Sequence, residues 1–333
     1  MPAQTVLDVR NLTVDLLTGH GAVRPVDGVS YSIRRGETLA VVGESGSGKT
    51  VMNFAPLGLM PIGVKADVSG SVVFDGTELV GASEDKIRRL RGKSTGFIFQ
   101  DPMSALNPAR RVGRQIAEMA EFHLGMSATA AEARALDLLK LVDISDPAAR
   151  LRQYPHELSG GLRQRVMIAI AIAAEPKLLI ADEPTTALDV TVQAQILRLL
   201  KNIQSKLKMA MVLITHDMGV VAGSADRVVV MYAGRNAETG PVEKVLVSPH
   251  HPYTMGLIDA IPRREDAIGA PFRGLPGVPP MLAAPIVGCA FEPRCVHSVQ
   301  SCKSHRPKLV ETLDPSVFAA CPVINDHLLE RVS

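Results

Sequence analysis

The run Gly43-Glu44-Ser45-Gly46-Ser47-Gly48-Lys49-Thr50 constrains what this chain can fold into more than any other feature. It follows a short apolar segment, Thr38–Val42, that predicts a buried strand, and it precedes a segment that predicts a helix from Lys49. Glycines reach backbone conformations closed to other residues, so successive N–H groups of such a loop can turn inward on an anion. The helix behind it adds its positive end. On that reading Lys49 reaches the β- and γ-phosphates of a nucleotide, and the Thr50 hydroxyl coordinates Mg²⁺. A chance glycine-rich turn would need neither the lysine nor the flanking strand and helix.

Further short strands are predicted at Ser71–Phe74, Phe97–Phe99, Leu178–Ala181, Met211–Ile214 and Arg227–Met231, with helical patterns at Ala131–Leu141 and Val190–Leu207. Strands separated by helices predict a mostly parallel sheet covered on both faces. Alternating apolar positions over Leu7–Val14 and Val26–Ile33, with a turn at Gly19 and Gly21, predict an opening antiparallel sheet. Residues 103–160 read as helical throughout. Beyond Gly240 the composition changes: a proline- and glycine-rich stretch runs from Pro262 to Pro285, and all four cysteines follow it. The chain therefore divides into a large α/β domain, 1–245, and an extension, 246–333.

Bulk properties exclude several classes. The net charge is +2, which gives no electrostatic reason to expect a nucleic-acid partner. The longest apolar run, Val166 to Ala174, is nine residues, and a spanning helix needs about 20. The opening MPAQTVLDVR lacks the basic and apolar regions of a secretory signal. Residence in the cytosol is the expectation, so the cysteines read as metal ligands or free thiols before disulfides.

Leu178-Leu179-Ile180-Ala181-Asp182-Glu183 is an apolar segment ending in two carboxylates. A parallel strand delivers its last residues to the sheet edge where ligands bind. Asp182 is placed to hold Mg²⁺, and Glu183 to orient and deprotonate an attacking water. The bland alternative is helix capping ahead of Pro184. Leu158-Ser159-Gly160-Gly161-Leu162-Arg163-Gln164-Arg165 opens an apolar helix and resembles the LSGGQ signature of ABC ATPases, with Leu162 where glutamine is more usual. Gln100, Ala187-Leu188-Asp189 and Thr215-His216-Asp217 complete six landmarks in the order of that family.

The resemblance implies an α/β P-loop NTPase of the ABC ATPase fold, with a RecA-like core, an antiparallel β subdomain, a helical subdomain and here a small Cys-containing C-terminal extension. It implies ATP and Mg²⁺ as cofactors, and a head-to-tail dimer in which each ATP lies between the phosphate loop of one subunit and the signature of the other. Ser159, Gly160 and Gly161 would then meet the partner's nucleotide and Asp189 would lie at the seam. His216 would hold the γ-phosphate and water in line, and Gln100 would touch Mg²⁺ or that water. Where many relatives stack adenine on an aromatic ring, this chain offers Leu16 or Leu17, with Tyr31 as the alternative.

Two segments narrow the resemblance to subunits of oligopeptide, dipeptide and nickel importers: Gln100-Asp101-Pro102-Met103-Ser104-Ala105-Leu106-Asn107-Pro108 and His250-His251-Pro252-Tyr253-Thr254. That subfamily implies two transmembrane permease subunits, a second homologous ATPase or a second copy of this chain, an extracytoplasmic solute-binding protein, and a place on the cytoplasmic face of the membrane. Met103 to Arg110 would meet the membrane subunit. Cys289, Cys295, Cys302 and Cys321 are separated by 5, 6 and 18 residues, and Pro322 follows the last. Four thiolates can hold a [4Fe–4S] cluster, as the resemblance to D-type subunits implies, or Zn²⁺; unligated thiols are the third reading. Arg294, Lys303 and Arg306 are expected to offset a cluster's charge. The competing functions are a soluble ABC ATPase acting on nucleic acid or the ribosome, and an iron–sulfur assembly ATPase. The first would carry two ATPase cores or long coiled-coil insertions, neither of which this chain shows.

Overall fold

Buried strands of five or six residues, apolar but for a residue at one end, carry the core, and their burial shows why the sequence could mark them. In the computed structural model, which describes residues 4–19, 21–186, 188–261, 274–282 and 286–323, every residue of Thr38–Val42, Leu178–Asp182 and Ala210–Thr215 is buried. Strands buried on both faces read as continuous apolar runs and belong to parallel sheets. Ala187 and most of the Pro262–Pro285 stretch lie outside the described residues.

The packing separates two compact units, and their boundary does not follow the division at residue 245. One unit comprises residues 1–6, 33–37 and 82–214; the other comprises 7–32, 38–81 and 215–333.

In the first unit, Thr95–Ile98 pairs in parallel with Leu178–Asp182, which pairs in parallel with Ala210–Thr215. Helices run over Val112–Leu124 and Ala128–Leu141, with short helical turns around them. The second begins three residues before the expected Ala131 because Ser127 caps it, accepting from Ala130 N. Val190–Leu207 buries Ile196, Leu199, Leu200 and Ile203, the i, i+3, i+4, i+7 stripe of an amphipathic helix. Gly160–Ala171 is apolar on most sides and buries Val166 to Ala169.

In the second unit, four strands lie in the order Gly21–Arg34, Thr5–Thr18, Lys65–Phe74, Thr77–Glu78. Lys65–Phe74 starts six residues earlier than the apolar pattern predicts, because its polar first half pairs antiparallel with Thr5–Thr18. Thr38–Val42 runs parallel to Arg227–Tyr232, which turns back antiparallel into Arg235–Pro241. The extension joins that sheet: Phe318–Ala319 pairs with Arg235–Pro241, and Val310–Glu311 pairs with Phe318–Ala319. Its core is aromatic. The rings of Tyr232 and Tyr253 lie 4.6 Å apart, and Phe291 meets Tyr232 edge-on at 5.2 Å. Such pairs add about 1 kcal/mol each beyond the area they bury. Among the described residues no helix is long and apolar enough to cross a membrane.

Candidate functional site

The strand Thr38–Val42 hands the chain to the phosphate loop in the second unit, and two glycines there are obligatory. A Cβ at Gly43 would stand 2.2 Å from the Met231 carbonyl oxygen. Gly48 has φ +97°, and a Cβ on it would stand 2.0 Å from the Pro25 carbonyl oxygen. Gly46 is also left-handed, at φ +79°. The helix Lys49–Phe54 starts where expected and continues as a 3₁₀ turn, Ala55–Leu57. Lys49 is buried, and its Nζ donates to the carbonyls of Gly43 (2.8 Å) and Glu44 (2.9 Å). Ser47 is buried and its carbonyl accepts from Gly234 N at 3.0 Å, while Ser45 and Thr50 are exposed.

Glu44 departs from the expected role. Its backbone N–H donates to the Tyr253 hydroxyl at 2.8 Å, and its carboxylate is gripped by both ends of the Arg294 guanidinium, at 2.6 and 2.9 Å. Both groups are thus engaged within the protein. Arg294, expected to balance a metal cluster, is instead the counter-ion of the loop, and Arg306 pairs with Asp27 at 3.1 Å. Tyr31 is not placed to meet adenine either. It is buried, its hydroxyl donates to Asn53 Oδ1 at 2.9 Å, and Asn53 donates to the Lys49 carbonyl. Burial drives the Tyr31 hydroxyl pKa well above its ordinary value. Leu17, 50% exposed, remains on the strand opposite Lys65.

In the first unit, Asp182 closes its strand in a buried position opposite Ile214. Glu183 follows with φ +45°, a conformation that costs a side-chain-bearing residue about 1 kcal/mol and clusters at functional sites. Its N–H donates to the Ile214 carbonyl at 2.9 Å. Its Oε2 accepts from Gln100 Nε2 and from the Thr186 hydroxyl, each at 3.0 Å. Gln100 and Glu183, 83 residues apart in sequence, are thus joined directly, a contact the landmarks did not specify. Thr186, which the sequence reading passed over, is the second clamp; its place three residues after Glu183 was the available signal.

Ser159 starts the signature helix in an extended conformation, and its hydroxyl makes no capping bond to that helix. A Cβ at Gly161 would stand 3.0 Å from Val192 Cγ1, so the turn sits close against the helix that Asp189 begins. Asp189 caps that helix, accepting from Val192 N at 2.9 Å. In the second unit His216 is exposed; its neighbour Asp217 donates its N–H to Thr215 Oγ1 and accepts from Gly219 N.

The extension is bound together by a buried carboxylate. Glu238 accepts from the N–H groups of His250 (2.7 Å) and His251 (3.0 Å), and burial raises its pKa to about 7. Burial lowers His251 to about 4. Its neutral Nδ1 accepts from Tyr253 N at 3.1 Å. Cys289, Cys295, Cys302 and Cys321 line one cavity of about 160 Å³. Burial, reinforced by the neighbouring thiols, pushes Cys289 up to about 11, and Cys295 is raised by burial as well. Among the described residues no group of three or more His, Cys, Asp or Glu could hold a metal ion. A metal cage, for a cluster or for zinc, is thus not assembled in this structure: burial favours the neutral thiol over the thiolate that either metal needs.

Residues 26–186 match the ABC transporter family, and residues 237–302 match the oligopeptide/dipeptide transporter C-terminal region. The chain is 47% identical to the oligopeptide transport ATP-binding protein OppD of Bacillus subtilis, over 93% of this chain and 86% of that protein. It is 46% identical to OppD of Salmonella typhimurium (96% and 94%) and 48% identical to the dipeptide transport ATP-binding protein DppD of Bacillus subtilis (90% and 89%). A solved dimer of the ATP-binding cassette MJ0796 in a post-hydrolysis state, bound to ADP and Pi, is 28% identical with a TM-score of 0.62, over 71% of this chain and 98% of that one. The cbiO1 subunit of the Clostridium perfringens transporter complex cbiONQ is 29% identical with a TM-score of 0.63, over 74% and 92%. With the loop, the clamped carboxylate, the signature turn and these relatives together, the chain belongs to the ABC transporter family as an ATP-hydrolysing subunit of the oligopeptide/dipeptide importer type.

Proposed function

We propose that this subunit splits ATP with Glu183 as general base and Lys49 as the grip on the terminal phosphates. The observation that carries the proposal is the Glu183 carboxylate, set in a strained backbone and clamped by Gln100 and Thr186 beside the buried Asp182. A base so held is pre-oriented toward a water that Gln100 can also reach, and phosphoryl transfer is accelerated mainly by positioning and charge stabilisation. Asp182 and Thr50 would hold Mg²⁺, whose part is to neutralise charge on the phosphates. Gly43, Ser45, Gly46, Ser47 and Gly48 would line the phosphates with Lys49, and His216 would face the γ-phosphate. Ser159, Gly160 and Gly161 would close on the nucleotide of the opposing subunit, with Asp189 near the seam. Glu183→Gln should keep ATP affinity while turnover falls by about 10²–10⁴-fold. Unchanged turnover in the folded variant removes Glu183 from the role.

The same reading places the subunit on the cytoplasmic face of a membrane, against two permease subunits and paired head-to-tail with a homologous ATPase or a second copy, serving a solute-binding protein outside. Met103, exposed on the short helix that Asp101 caps, would meet the membrane subunit.

A second proposal concerns the cysteines. The resemblance to D-type subunits and the four thiols around one cavity favour a [4Fe–4S] cluster, with a single zinc ion as the alternative. Binding would deprotonate them. Iron and acid-labile sulfide in anaerobically purified protein support the cluster; zinc alone, or no metal, overturns it.

A further inference from the structure

A glutamate in the phosphate loop poses an electrostatic problem, because an ionised carboxylate repels the triphosphate beside it. Glu44 is that residue, directly after Gly43. Its solution lies 250 positions along the chain. The Arg294 guanidinium meets both carboxylate oxygens, at 2.6 and 2.9 Å, in the two-pronged geometry that makes such pairs strong and directional. The arginine side chain is only 5% exposed and is itself aimed by its surroundings. Its Nε donates to the Pro276 carbonyl at 2.7 Å, its Nη1 lies 3.2 Å from the Tyr232 hydroxyl, and its guanidinium rests 5.8 Å from the centres of the Tyr232 and Phe291 rings. From the same aromatic cluster, the Tyr253 hydroxyl accepts the Glu44 N–H at 2.8 Å. One loop residue is thus held by side chain and by backbone, both times from the extension.

We propose that Arg294 is a positioning residue for ATP binding. It neutralises Glu44 and draws its carboxylate away from the phosphates, and with Tyr253 it sets the start of the loop in its binding shape. The extension is then a working part of the nucleotide site, and rearrangement of the segment from Cys289 to Cys295, which contains Arg294, alters ATP affinity. The inference rests on the reading that Gly43–Thr50 grips the phosphates.

The test uses the full chain and measures equilibrium binding of Mg·ATP to four variants, Arg294→Ala, Glu44→Gln, the double variant and Arg294→Lys, with melting curves to verify folding. Removing the arginine leaves an uncompensated carboxylate, so Arg294→Ala should weaken ATP binding by about tenfold or more. Replacing Glu44 by glutamine in the Arg294→Ala background removes that charge, so the double variant should recover most of the lost affinity. Arg294→Lys keeps the charge without the fork and should fall between parent and Arg294→Ala. A merely structural arginine would not be rescued by neutralising Glu44. ATP affinity within twofold of the parent in folded Arg294→Ala, or no recovery in the double variant, overturns the proposal. If Arg294→Ala does not fold, Arg294→Lys with and without Glu44→Gln decides by the same criterion. Lys49→Ala separates the two readings: if it binds ATP like the parent, the phosphate-loop reading itself fails; if it alone loses ATP, only the role of Arg294 falls.

Discussion

In the phosphate loop, Gly43 and Gly48 leave room for the carbonyls of Met231 and Pro25, whereas at the end of the strand Leu178–Asp182 the Glu183 carboxylate is held by the side chains of Gln100 and Thr186. The first region is shaped by backbone that tolerates no Cβ. The second is shaped by hydrogen bonds to a single strained residue. They should fail differently. A backbone cradle fails abruptly when an atom is added, because main chain cannot move aside cheaply. A clamp of two hydrogen bonds from neutral donors to one carboxylate fails gradually, since each contributes about 1.5 kcal/mol.

Gly48→Ala should break the comparison most forcefully. Its methyl group would meet the Pro25 carbonyl at φ +97°, so ATP affinity should drop by more than about 100-fold, with a melting temperature lowered by several degrees. Binding titration and thermal melting check it, and parent-like affinity would show that the loop is softer than its geometry states.

The support beneath the loop is also titratable. Glu238, with a folded pKa near 7 against an ordinary 4.5, stabilises the fold fully below pH 4.5 and loses that contribution as pH rises to 7. His251, lowered from 6.5 to about 4, does the opposite: its contribution is present above pH 6.5 and is lost as pH falls to 4. The two nearly cancel between pH 4.5 and 6.5. Glu238→Gln should expose the histidine, so that stability of the variant rises with pH across that window by about 2 kcal/mol, while the parent stays nearly level. Denaturant unfolding at several pH values reads this; a level profile in the variant refutes the pairing.

The smallest effect is expected at the clamp. Thr186→Val removes one of the two hydrogen bonds to Glu183 Oε2, and turnover should fall about five- to tenfold with ATP affinity unchanged. A loss of binding instead would mean that Thr186 meets the nucleotide itself.

Much of this was legible before any coordinates. The buried strands announced themselves as unbroken apolar runs, and the helix Val190–Leu207 was bounded correctly from its helical pattern, whereas the cap at Asp189 was not foreseen. The strands Arg235–Pro241, Val310–Glu311 and Phe318–Ala319 were not, because they are short, polar or both, and exist only through pairing with one another and with Arg227–Tyr232. Tyr31 looked available for a base and proved to be core, since a lone aromatic carries no mark of which way it faces.

The linear order of residues by itself determined the chemistry: a loop that only glycine can form, two carboxylates at the end of an apolar strand, and a Ser-Gly-Gly turn opening a helix. Each is a local pattern whose physics is complete within a few residues. Tertiary structure alone decided that Arg294 answers Glu44 across 250 positions, that Tyr253 holds the same residue by its N–H, and that four cysteines share one cavity. Ion pairs, aromatic packing and burial depend on which distant segments the fold brings together, and no local pattern records that.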